Sequence, residues 1–271
     1  MTATKNPAAK TIGIITAVIG GVALIGSGTQ AAVASVHALS HTDDAQTADV
    51  RGVEALSVDV AAGDVMIRFD DVEDAKLIVS GAQQASWVLE RDDEDLVLRD
   101  SSGWFGWGGQ DWSWFGSGIG AEQIELVLPN SLAGIDADLS LGAGSLDARG
   151  EFGELDLDIS AGGVTIDGSA RSLDADLGAG GADLSLADVS EADIAVSAGR
   201  FIAVFTGEAP RLTEIEVSAG SLELSLPDTA YDVRQEVSAG VLDNRLRTSS
   251  EARNSVVVSL SAGTAVLRPA R

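Results

Sequence analysis

The chain of 271 residues contains no cysteine. That excludes disulfides, thiolate metal sites and a cysteine nucleophile, and it leaves the redox compartment open. Histidine is almost as scarce: His37 and His41 are the only two, and both lie close to the amino terminus. Basic residues are few, 17 Lys and Arg against 42 Asp and Glu, for a net charge of −25. Such an excess of acid argues against a nucleic-acid partner, whose phosphates require a basic face. It argues equally against docking of the folded part on anionic lipid headgroups. Aromatic residues make up only 4% of the chain, yet 45% of it is apolar, so a packed core is expected rather than disorder.

What is present begins with residues 11–28, "TIGIITAVIGGVALIGSG", an uncharged apolar run that continues with mild polarity to about residue 36. At ~1.5 Å per helical residue it approaches the ~30 Å hydrocarbon core of a bilayer. Lys5 and Lys10 precede it and "HTDDAQTAD" follows it. The positive-inside rule then predicts a cytoplasmic tail over 1–10, a transmembrane helix or signal anchor over 11–36, and a juxtamembrane linker over 37–49. Everything beyond lies outside the membrane, and the two histidines stand at the exit as solvated residues. A cleaved signal peptide is the alternative, because Ala32-Val33-Ala34 before Ser35 fits an A-x-A site.

The body of the chain is organised by a recurring Ala-Gly pair whose glycines are Gly144, Gly162, Gly180, Gly199, Gly220, Gly240 and Gly263. An isolated early copy is Ala62-Gly63. A period near 20 residues marks a solenoid or array. Three positions before each glycine stand Leu141, Ile159, Leu177, Val196, Val217, Val237 and Leu260, and five before it are mostly apolar residues too. The positions between are mostly Asp, Glu or Ser, which is the period-two alternation of a strand with one buried face. After the glycine the apolar parity slips by one, as at a bulge or corner, so each unit reads as strand, Ala-Gly corner, strand and turn. We expect the alanine to pack inside that corner.

These features predict an all-β ectodomain over 50–271, a parallel right-handed β-helix or β-solenoid, with an antiparallel sandwich or barrel as the alternative. Between Gly63 and Gly144 the repeat is interrupted by the segments "KLIVS", "WVLER", "LVLRD" and "IELVLP", the second and third forming a hairpin. An aromatic loop at about 101–120 lies among them and holds Trp104, Phe105, Trp107, Trp112, Trp114 and Phe115. It has three readings: a cap on the amino-terminal end of the stack, a membrane-interface segment, or a recognition loop for a protein or glycan.

The anchor, "VEALSVDVAAGDVMI", the aromatic loop, the "IELVLP" strand and the tandem S-A-G repeats together resemble a bacterial β-strand-repeat family of membrane-anchored envelope proteins known as putative adhesins. The family's domain is one of unknown function. The resemblance implies an envelope protein, in some cases linked to envelope stress, and it carries no catalytic motif.

Six positions before the glycine stand Asp138, Asp156, Asp174, Asp193 and Glu214. Parallel stacking would bring them into one column at about 4.8 Å spacing. A solvated acidic face accounts for them, and a Ca²⁺ ribbon is the sharper alternative. The sequence therefore predicts no catalytic residue, no cofactor and no metal. The expected partners are the membrane, through a single-pass anchor, and an envelope protein or glycan. The function expected is non-enzymatic adhesion, scaffolding or envelope-stress interaction; a carbohydrate-active β-helix enzyme using paired carboxylates is the alternative.

Overall fold

The computed structural model describes residues 45–80, 87–100 and 123–270, and it is nearly all β. The predicted membrane segment and the six aromatic residues of the 101–120 loop lie outside the described residues. Among the described residues no helix is long and apolar enough to cross a membrane.

The strands are β1 (Ala45–Ala48), β2 (Ala55–Val60), β3 (Gly63–Asp70), β4 (Ala75–Ser80), β5 (Trp87–Asp92), β6 (Asp95–Asp100), β7 (Gln123–Pro129) and β8 (Ile135–Leu141). They continue as β9 (Gly144–Ala187), β10 (Glu191–Thr206), β11 (Leu212–Leu226), β12 (Ala230–Val237), β13 (Val241–Asn244), β14 (Arg247–Thr248) and β15 (Asn254–Pro269). All fifteen belong to one sheet. Its repeated part is parallel and in register: Ile194 lies beside Ala175 and Ile215, and Phe201 beside Ala182 and Leu222. The alternation read from the sequence becomes burial. Leu139, Leu157, Leu177, Ile194 and Val217 are all at most 1% exposed. Phe201 faces a small residue, Ala182, on one neighbouring strand and a large one, Leu222, on the other.

The glycines form one continuous line. A Cβ on Gly144 would fall 2.0 Å from the carbonyl oxygen of Gly63, and one on Gly263 would fall 2.1 Å from that of Gly220. The backbones of successive repeats thus approach too closely at this corner for any side chain. The alanines behave differently from expectation: Ala143, Ala161, Ala179, Ala198, Ala219 and Ala262 are all exposed. The chain turns at the convex side of the corner, so the alanine points to solvent. The demand for smallness falls on the glycine alone.

The second departure concerns order. Gly63 is not an isolated copy, because β3 pairs in parallel with both β7 and β9, while β2 pairs with both β6 and β8. The rung built from β2 and β3, first in the sequence, is therefore clamped between a rung of β6 and β7 and one of β8 and β9. The same happens at the other end. β15, last in the sequence, pairs with β11 on one side and with β12 and β13 on the other. Both chain-terminal rungs are interior, and both ends of the stack are made from earlier or later chain. A glycine period cannot reveal this, since an inserted rung carries the same signature as its neighbours.

At one end the pairing turns antiparallel: β5 lies against β6, and β4 and β1 extend outward from β7. The two outermost strands are joined by Gln46 of β1. Its side-chain amide donates from Nε2 to the Trp87 carbonyl at 2.7 Å and accepts from the Leu89 N–H at 3.2 Å. One side chain thus imitates a strand's donor and acceptor across the corner. Trp87 itself is 1% exposed and fills the core beneath this clip.

Candidate functional site

The acidic residues singled out in the sequence do meet. Asp138 lies in register with Asp156, and Asp193 with both Asp174 and Glu214. All five are exposed. A second acidic column, two residues further along each strand, runs beside the first and was not singled out: Asp59, Asp158, Asp176 and Glu216, interrupted by Ser140 and Ala195. The period-two alternation that places one outward position places the next as well, so the signal was present in the sequence. Together the two columns make a ladder of carboxylates on one side of the stack, with rungs about 4.8 Å apart.

The electrostatics follow from this crowding. The Asp156 carboxyl is pushed up to about 6, first because neighbouring strands strip it of water, then because Asp174, Asp138, Asp158 and Asp176 surround it with like charge. Desolvation also raises Asp138, Asp174 and Asp193, each with added repulsion from acids of the two columns. The first column stops beyond Glu214, where the same register position holds Val257 and then Arg234. Among the described residues no three His, Cys, Asp or Glu side chains converge as a set that could hold a metal ion.

A pH dependence results. A carboxyl whose folded pKa lies above its unfolded value binds protons more readily in the native state, so stability rises as pH falls through that interval. Between about pH 6 and pH 4 the ladder should therefore stabilise the fold on acidification. Below that window the trend reverses, because Asp49, Asp70 and Asp243 are held low by hydrogen bonds from Arg51, Arg68 and Arg245 and lose those partners on protonation. We expect a higher melting temperature at pH 5 than at pH 7.5. Asp156→Asn should raise the pH 7.5 value by about 2–4 °C, corresponding to about 1 kcal/mol after discounting for solvent screening. A melting temperature that falls steadily from pH 7.5 to pH 5 would show that the ladder carries no repulsion.

The strands on either side of the aromatic segment are described. β6 stacks on β2 up to Arg99 beside Asp59, and β7 resumes at Gln123 beside Asp64. In the neighbouring rung the corresponding stretch from Val60 to Gly63 is the tight corner. This end of the described stack is closed by the antiparallel strands β1, β4 and β5, with Gln46 and Trp87 at the corner.

No protein-family model matches the chain, and no curated protein matches it. Among solved structures it is similar to a "putative adhesin" from Bacteroides fragilis, with 13% identity over 84% of this chain and 98% of that one, at a TM-score of 0.46. It is also similar to a "putative cell adhesion protein" from Clostridium sporogenes, with 12% identity, the same coverage of 84% and 98%, and a TM-score of 0.36. Both likenesses are too distant to carry an argument about function.

Proposed function

We propose that the chain is a membrane-anchored, extracytoplasmic β-solenoid, right-handed in its winding, that acts as a non-enzymatic adhesion or scaffold module of the cell envelope. The observation that carries this reading is the form of the described surface, a regular ladder of exposed carboxylates on a parallel, in-register stack. A uniform ladder offers a repulsive, hydrated flank. The aromatic segment supplies the apolar surface from which binding energy to an envelope protein or glycan would come. The desolvation and like-charge crowding that push Asp156 up to about 6 also raise Asp138, Asp174 and Asp193, a pattern repeated from rung to rung, which favours this reading over a carbohydrate-active enzyme with one acid and base pair.

The test uses cells displaying the full chain and a variant lacking residues 101–120. Full-length chain should fractionate with membranes with its amino terminus intact. The deletion should leave the melting temperature of the stack unchanged while abolishing attachment of the displaying cells to a glycan- or protein-coated surface. Equal attachment of both chains would overturn the loop's role. A soluble product starting at Ser35 would overturn the anchor.

A further inference from the structure

The two ends of the stack are finished differently. One is closed by antiparallel strands and the Gln46 clip. At the other, β12 pairs inward with β15 from Tyr231 to Val237, but outward only with β14, through Ala230 and Tyr231. β13 pairs inward with β15, and among the described residues no strand lies on its outer side. Residues 234–241 are all exposed. Val237 is 39% and Val241 62% exposed, and only Met66 joins them as an exposed large hydrophobic residue among those described. A long edge of this kind is a template for another strand unless it is guarded.

The charge of this rung identifies what can approach it. Residues 228–247 carry four acids, Asp228, Asp232, Glu236 and Asp243, and three bases, Arg234, Arg245 and Arg247, a net of −1 within a chain of −25. The arginines are already engaged: Arg234 with Asp232 at 2.8 Å, Arg245 with Asp243 at 2.5 Å and Arg247 with Asp228 at 3.1 Å. The carboxylate ladder would repel a second copy of the chain, whereas this rung would not.

We propose that the end rung is a homodimer interface, in which two copies meet end to end about a two-fold axis that passes between Ser238 and Ala239, at the corner. Such an axis lays β12 of one copy antiparallel to β13 of the other. The sequence is self-complementary in that direction. The register that sets Arg234 opposite the other copy's Asp243 also sets Asp232 opposite its Arg245, and symmetry repeats both pairs. Val237 and Val241 fall on either side of the axis and leave water together. The proposal is independent of the adhesion reading, which concerns the side of the stack.

The full chain in mild detergent is examined by sedimentation velocity. The wild type should be a dimer, and Val241→Asp should dissociate it with no change in melting temperature, since the residue is exposed. Arg234→Asp and Asp243→Arg should each weaken association at least ~10-fold, and the double swap should restore it. A monomeric wild type would overturn the proposal. So would a dimer indifferent to Val241→Asp, or a double swap that fails to recover association.

Discussion

Alanine at Gly180 should lower the melting temperature by about 10 °C, whereas alanine at Gly163 should leave it unchanged or raise it slightly. Gly180 has φ +112°, and a Cβ there would sit 2.0 Å from the Gly162 carbonyl oxygen and 2.8 Å from its nitrogen. Both backbones belong to the sheet ladder and cannot yield without separating two rungs. The substitution combines backbone strain with a main-chain clash, which places it among the rare losses of about 4 kcal/mol or more. For a domain of this size that is of order 10 °C. Valine at Gly180 adds two further carbons and should leave the chain unfolded or aggregated. Gly163, one residue after another member of the same column, has nothing within 4 Å of its added Cβ. Alanine there removes only unfolded-state entropy. Thermal melts of the two variants separate a requirement for glycine at the corner from a general sensitivity of glycine-rich strands. Equal effects would contradict the close-approach column.

Trp87→Ala should cost about 3–5 kcal/mol. Trp87 is the largest of the fully buried side chains and lies under the Gln46 clip. At a stack end only one side has a neighbouring rung to collapse into the cavity, and the other side is closed by β1 and β5. Gln46→Ala should cost less, about 1–3 kcal/mol, because it leaves the Leu89 N–H and the Trp87 carbonyl without the side chain that pairs them. Hydrogen exchange gives the sharper readout. Protection should fall first in β1 and β5 and remain in β10 and β11. Uniform loss along the stack would mean that this end is not a separate cap.

Much of the architecture was legible in the residues. Alternation around each Ala-Gly pair identified inward positions such as Leu139, Ile194 and Val217, and all three are buried. The same alignment put Asp138, Asp156, Asp174, Asp193 and Glu214 in one column, where in-register pairing brings Asp138 to Asp156 and Asp193 to its two neighbours. The acidic strip was read at half its width, because only one of two equivalent outward positions was followed. For the corner alanines, small size in the sequence points to burial inside the turn. Their column is exposed, and the steric demand belongs to the glycine beside them. The cap went unseen for another reason. Gln46 and Leu89 are 43 residues apart, and their contact depends on strands meeting at a corner that no periodicity encodes. The insertion of β2–β3 and of β15 between other rungs was hidden in the same way, since parallel stacking is blind to chain order.

That order is the core of the account, and a cysteine-free chain allows it to be tested with paired cysteines. Thr264 lies in register with Ser221 on one side and with Val241 on the other. Ser221 and Val241 are then two rungs apart, ~10 Å. A short thiol cross-linker should join the Ser221→Cys/Thr264→Cys pair and the Val241→Cys/Thr264→Cys pair within one chain, and leave Ser221→Cys/Val241→Cys unlinked. Linking of the Ser221/Val241 pair, with loss of the Ser221/Thr264 pair, would mean that the repeats stack in chain order and would contradict the interior placement of the final rung.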